Sequence, residues 1–332
     1  MTMKILPRLA LALALALAFA AAVAAATMPS ASAQNYPAKP IRIIVPFAPG
    51  GPADLLARTL GQKMQEHWGQ AVLADNKPGA GGNLGMDLGA KAAPDGYTLV
   101  IAPTGNLTVN PHLGALPYDV FRDLAPVTQL ATVENVLVVN PGIAVSSVQD
   151  LVALARAKPG SLSFASPGAG SQAHVAGEFL KGLTGIDMVH IAYKGIGPAL
   201  NDLLGGQVSM MFSQMSSALP HLRAGKLRAL GVASLKRSAV LPSLPTVAEQ
   251  NLPGFEAVSW YALMAPAGTP AEVITKLQAE SARILRLPDV REKLAALGAE
   301  AVGNRPEELA AIIRAESVRW QKVVKDAGIK AE

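Results

Sequence analysis

The chain has 332 residues, half of them apolar and 16% charged, with no cysteine and a formal net charge of +5. Disulfides are therefore excluded, and a chain of this length must draw its stability from a large apolar core. Lys4 and Arg8 lie in the acid-free first 33 residues, which leaves +3 for the rest, too weak and dispersed for a nucleic-acid surface and only mildly favourable to small anions.

The N-terminus combines the basic Lys4 and Arg8, an apolar run from Leu9 to Ala26, and the small-residue triplet Ala31-Ser32-Ala33. This pattern is that of a secretory signal peptide over residues 1–33, cleaved before Gln34. The rival is an uncleaved anchor, since the run is almost long enough to span a bilayer. No other stretch is apolar for that length.

Ile41–Val45 is a short apolar run with β-branched residues, which predicts a buried strand. A turn through Pro46, Gly50 and Gly51 follows, and Leu55, Leu56, Leu60 and Met64 then recur at helical spacing as far as Trp68. Pro52 suits the first helical position. A strand over Ala71–Asp75, a glycine-rich turn at Asn76–Asn83, a helix to about Ala93 and a strand over Tyr97–Ala102 continue the alternation. Such a βαβαβ pattern predicts a mostly parallel sheet with helices on both faces. The turn after the third strand, from Pro103 to Asn106, lies where open α/β sheets hold their ligands.

A second series begins at Glu134–Val139. It continues through a helix at Ser147–Ala157, a strand at Leu162–Ala165 and a helix at Gln172–Leu183. A strand at Met188–Ile191, a helix ending at Leu204, a strand at Val208–Phe212, a helix at Ser217–Ala224 and a strand at Leu227–Val232 follow. Leu241–Pro245 reads as a stiff connector and Trp260–Ala265 as a further strand. Helices at Pro270–Leu285, Pro288–Leu297 and Pro306–Asp326 close the chain, and the last has an apolar stripe of Leu309, Ile312, Ile313, Trp320, Val323 and Val324. Helices alone do not make a domain, so these are expected back on the first sheet. The second series then becomes an insertion joined by two crossing strands, with residues 34–132 and 259–332 in the first domain and 133–258 in the second. Clefts between domains are preferred ligand sites.

Three turns, Pro46–Gly51, Ser166–Ser171 and Ala192–Gly197, each follow a strand and precede a helix. Helix N-termini gathered in one cleft offer free N–H groups and positive dipole ends to an anion, with no arginine needed. Thr104, Ser166, Ser171 and the Tyr193 phenol add hydroxyl donors, and Gln214 is a polar candidate in the cleft. Gly168–Ala173 also fits the dinucleotide pattern G-x-G-x-x-A, but its acid should end the next strand, whereas Asp187 precedes that strand. The serine-nucleophile elbow G-x-S-x-G and a phosphate-loop lysine are both missing. His174 and Glu178 share a helix face but do not make a zinc site.

The run Pro37–Gly51, with Asn76–Gly82, Pro94–Leu99, Ala192–Gly195, Leu241–Glu249 and Ala265–Pro270, resembles the Bug receptors. These are periplasmic solute-binding proteins of tripartite tricarboxylate transporters, and the likeness covers nearly the whole mature chain in order. The resemblance implies an α/β, type II periplasmic (Venus-flytrap) fold with two domains joined by two crossing strands. It implies a periplasmic, monomeric, non-enzymatic receptor for a small carboxylate, with no cofactor or metal, delivering to membrane transporter subunits. A sensor of the same fold acting on a histidine kinase is the alternative. Carried over, Phe47, Ala48, Gly50 and Gly51 would meet the ligand from one domain, and Ser166, Gly170, Ser171, Ala192 and Tyr193 would hold a carboxylate from the other. Thr104, Asn106 and Gln214 would set the ligand's far end. Relatives often carry an acid or amide after the Met-Phe strand; Ser213-Gln214 here, with no acid, disfavours ligands with a free ammonium.

Overall fold

The computed structural model describes residues 36–329 apart from Leu297 and Ala327. The expected cleavage point between Ala33 and Gln34 lies outside the described residues. No helix among them is long and apolar enough to cross a membrane.

The first series forms β1 (Ile41–Val45), α1 (Pro52–Trp68), β2 (Val72–Asn76), α2 (Asn83–Ala90), β3 (Thr98–Pro103), the short α3 (Thr104–Thr108) and β4 (Leu124–Val133). The second forms β5 (Asn135–Val139), α4 (Val148–Ala157), β6 (Ser163–Ser166), α5 (Gln172–Thr184), β7 (Val189–Ala192), α6 (Ile196–Leu204), β8 (Met210–Gln214), α7 (Met215–Arg223) and β9 (Arg228–Val232). The chain closes with β10 (Ser259–Pro266), α8 (Ala271–Leu285), α9 (Pro288–Ala295), β11 (Ala299–Ala301) and α10 (Pro306–Asp326).

Two sheets result, ordered β11-β4-β10-β3-β1-β2 and β7-β6-β8-β5-β9. In each, three strands from the βαβ series run parallel: β1 with β2 and β3, and β6 with β7 and β8. Each also has one antiparallel strand, at which the chain enters from the other sheet. β10 lies between β3 and β4, and β5 lies between β8 and β9. The crossings are short, at Glu134 between β4 and β5 and just before Ser259, and Asn135 Nδ2 ties them together by donating to the Ala257 carbonyl (2.6 Å) and to Ser259 Oγ (3.0 Å).

Alternation along the second sheet places successive side chains in separate cores. Leu137, Val139, Met210 and Phe212 join the cluster under α4 and α5, while Val136, Val138 and Met211 join the one under α6 and α7. The apolar stripe of α10 serves both halves. Leu309 and Ile313 pack with β3 and β10 residues, whereas Trp320 and Val324 pack with the core of the second sheet. The last helix therefore spans from one half to the other and does not return to the first sheet alone.

Three elements were illegible in the pattern: β4, α3 and β11. Pro126, Thr128 and Gln129 interrupt the apolar run of β4, yet this strand pairs with both β10 and β11. Its polar groups are held by the loop before α10, where Thr128 Oγ1 donates to the Asn304 carbonyl (2.7 Å) and the Gln129 N–H donates to Asn304 Oδ1 (2.8 Å). A strand whose polar side chains are paid for by tertiary partners carries no local signal.

Candidate functional site

The turns at the strand ends of the two sheets enclose a small, largely filled cavity of about 40 Å³. Its walls come in four groups. Phe47, Ala48 and Gly51 belong to the turn between β1 and α1, Pro52 and Ala53 to the start of α1, and Pro103, Thr104, Gly105 and Asn106 to the junction of β3 and α3. Pro167, Ser171, Gln172, Ala173 and Ile196 open α5 and α6. Asn135, Phe212, Gln214, Ser259, Trp260 and Tyr261 come from the crossing segments and the central strands. None of these residues carries a formal charge.

Helix starts supply the electrostatics. Gly51, Pro52 and Ala53 are the cap and first two residues of α1; Ser171, Gln172 and Ala173 hold the same positions in α5; Ile196 begins α6 and Gln214 caps α7. N–H groups in a first turn have no acceptor inside their own helix and point outward with the positive dipole end. In α5 the first turn carries no acid, and Ser171 Oγ accepts from the His174 N–H at 3.3 Å, leaving its own hydrogen to donate.

The turn before α5 is rigidly built. Ser166, wholly buried, accepts from the Gly168 N–H (3.1 Å) and pairs with His190 Nε2 (2.7 Å). The Gly170 N–H donates to His174 Nδ1 at 3.0 Å, and the rings of His174 and His190 stack with centroids 4.1 Å apart. Burial, reinforced by His190 and Lys181, drives the His174 pKa down to about 3, so the ring is neutral and remains an acceptor for Gly170. His174 is thus a support for the turn. No group of three or more metal-binding side chains occurs among the described residues.

The two halves meet through main chain. The Ala48 N–H donates to the Lys194 carbonyl at 3.2 Å, linking the turn after β1 to the turn after β7. A side-chain carbon on Gly105 would lie 2.5 Å from the Gly170 carbonyl oxygen, and one on Gly170 would lie 1.6 Å from Asn110 Oδ1. Gly105 lets two backbones approach more closely than a side chain permits, and Gly170 leaves room for the Asn110 side chain.

Of the twelve residues singled out from the sequence, seven line the cavity: Phe47, Ala48, Gly51, Thr104, Asn106, Ser171 and Gln214. Their capacities differ. Thr104 Oγ1 donates to the Trp260 carbonyl (2.7 Å) and accepts its N–H (2.6 Å), while Asn106 Nδ2 is spent on Gly81 O (3.0 Å) and Asn83 Oδ1 (2.9 Å). Gln214 Nε2 donates to the buried Tyr261 hydroxyl, which keeps its hydrogen free. The other five stand back from the cavity. Gly50 gives its N–H to Asp54, and Ser166 and Gly170 hold their turn together. Ala192 and Tyr193 line an outer pocket with Gly81, Asn83, Asn110 and Lys194. There the Tyr193 hydroxyl donates to Asp202 Oδ2 (2.7 Å), and burial together with that carboxylate pushes its pKa up to about 12.

Sequence reasoning missed Gln172, Asn135, Ser259, Trp260 and Tyr261. Gln172 had a usable signal, because the residue after an N-cap serine on a cleft-facing turn stands at the mouth of the helix. The others sit at the crossings, and which of them reach the cavity shows only once the sheets are paired.

Comparison with known proteins agrees with this architecture. A model of the "tripartite tricarboxylate transporter family receptor" matches residues 56–329. BugT of Bordetella pertussis is 42% identical over 304 residues, covering 90% of this chain and 92% of BugT. An R. palustris protein solved with adipate superposes with a TM-score of 0.86 at 37% identity, covering 90% of this chain and all of that one. MatC from Rhodopseudomonas palustris, solved with bound malate, gives 0.84 at 34% identity over 87% of this chain and all of MatC. Two exchanged α/β halves, joined by two crossing strands around an uncharged cavity, are the type II Venus-flytrap fold, and the chain belongs to the tripartite tricarboxylate transporter receptor family.

Proposed function

We propose that the chain is a periplasmic receptor that captures a small carboxylate between its two halves and presents it to a tripartite tricarboxylate-type membrane transporter. One observation carries this reading: a cavity without a single charged side chain, on which helix starts from both halves converge. Such a site binds an anion through N–H groups and dipole ends, and no charged side chain lines it. The names of the relatives solved with adipate and malate support a carboxylate as cargo. In this reading residues 133–258 form the second domain, residues 34–132 with 259–332 form the first, cleavage precedes Gln34, and the receptor works as a monomer.

The test is a thermal-shift screen of carboxylic acids, each beside its primary amide. A cognate acid at about 100 times its Kd stabilises the fold by roughly 2.7 kcal/mol. The amide, which gains less from a dipole end, is expected to fall well short. Equal stabilisation by acid and amide would contradict the anion site.

A further inference from the structure

Gln172 is the first residue of α5 and only 6% exposed, and it lines the cavity with neither its amide nitrogen nor its amide oxygen bonded to any protein group. The neighbouring polar side chains are committed elsewhere. Thr104 is bonded to Trp260, and Asn135 and Ser259 to each other and to the Ala257 carbonyl. Donors for a carboxylate are plentiful without Gln172: the Ser171 and Tyr261 hydroxyls and the first-turn N–H groups of α5. What a carboxylate cannot satisfy is the amide oxygen, because a carboxylate only accepts. Rotating the amide by half a turn exchanges its two ends but still presents one donor and one acceptor to the cavity.

We infer that Gln172 is a specificity-determining residue that reads a hydroxyl on the ligand, so that the cargo is a hydroxy-substituted carboxylate and not its unsubstituted counterpart. A hydroxyl donates and accepts at once, and so matches both ends of the amide. An ammonium would also donate, but no acidic side chain lines the cavity, and its charge would be buried unpaired. A plain acid leaves a buried acceptor without a partner, and sites that pair a substrate hydroxyl discriminate strongly against analogues that lack it. The inference rests on the carboxylate reading above.

Calorimetry on three matched pairs tests it: malate against succinate, 3-hydroxybutyrate against butyrate, and 4-hydroxybenzoate against benzoate. For at least one pair the hydroxy acid is expected to bind the wild-type protein about tenfold or more tighter. Gln172→Leu, which keeps the volume and removes both polar atoms, is expected to erase that preference while still binding the plain acid. Its ligand-free melting temperature is expected to equal or exceed that of the wild type, since no protein partner is lost; Gln172→Met serves if the leucine variant does not fold. Equal affinities within every pair, or a preference that survives in the variant, would overturn the role of Gln172 and leave the carboxylate receptor standing. Failure of all six acids to bind the wild type would instead strike the carboxylate reading, and the inference with it.

Discussion

The two turns that open α1 and α5 have the same design, a strand, a glycine-bearing loop and a helix start facing one cavity, yet they treat charge in opposite ways. In α1 the first turn contains its own anion. Asp54 is buried, accepts from the Gly50 N–H at 3.2 Å, and is paired with Arg58 and bonded to Asn76. Burial would raise its pKa, but these partners outweigh it and hold the carboxyl below its ordinary value. In α5 the first turn has no acid, and what stands there is a serine cap and an unpartnered amide. A helix start that has already captured a carboxylate has less to offer a second. On the proposed carboxylate reading, the ligand's anionic end is therefore expected at α5, with the α1 turn as the facing wall.

The largest expected effect separates Gly170 from Gly50. Both have positive φ, +74° and +92°, but Gly50 has nothing within 4 Å of an added side-chain carbon, whereas at Gly170 it would strike Asn110 Oδ1. Gly170→Val is expected to abolish measurable binding by calorimetry, because the halves can no longer close over the ligand. A folded Gly170→Val that binds like wild type would remove the α5 turn from the site.

Next comes Ser171→Ala. Losing the hydroxyl donor to an anion is expected to weaken binding by roughly 1.5–3 kcal/mol. Losing the cap to His174 is expected to lower ligand-free stability by about 0.5–2 kcal/mol in denaturant melts. Both losses together mark a residue that caps and binds; a stability loss with intact affinity would reduce it to a cap.

Acid separates the turns a third way. His174, held neutral with a pKa of about 3, gains a proton near its ordinary 6.5 once unfolded. Unfolded chains then bind the extra proton between these values, so stability falls as pH drops from 6.5 toward 3, by about 1.4 kcal/mol per pH unit at most. Asp54, whose pKa is lowered, contributes stability that is lost only below its ordinary 3.8. Denaturant melts between pH 6.5 and 4.5 are expected to show the His174 slope, and His174→Ala to flatten it. A slope unchanged in that variant would place the titrating group elsewhere.

The smallest effect is at Gly50→Ala, where an L-residue in the left-handed region costs about 1–2 kcal/mol of stability. Affinity is expected to stay within experimental error of wild type, since the added methyl meets nothing. A large affinity loss there would move the carboxylate toward α1.

Much of this was legible in the sequence, for reasons that differ by element. The βα turns announced themselves because glycine, proline and serine are needed there locally: Pro52 to start α1, Ser171 to cap α5, Gly170 to take a positive φ beside Asn110. Strand β4 did not, because it depends on Asn304, some 175 residues away, to satisfy its polar groups. Nor can periodicity say which hydroxyls remain free. Thr104 and Ser171 look alike as candidates, yet Trp260 consumes the first while the second faces the cavity with its hydrogen unspent. Tyr193 and Ala192 sit on a turn of the right kind that lines an outer pocket instead. Function here lies in leftover bonding capacity, which only the folded arrangement determines.

The most direct measurement is a crystal structure of the protein with the tightest-binding acid from the screen. We expect a ligand carboxylate with oxygens about 2.7–2.9 Å from the N–H groups of Gln172 or Ala173, within reach of the Ser171 hydroxyl and with no cationic side chain in contact. A carboxylate seated on the first turn of α1, or drawn out to Lys194 in the outer pocket, would contradict the assignment of the anion to α5.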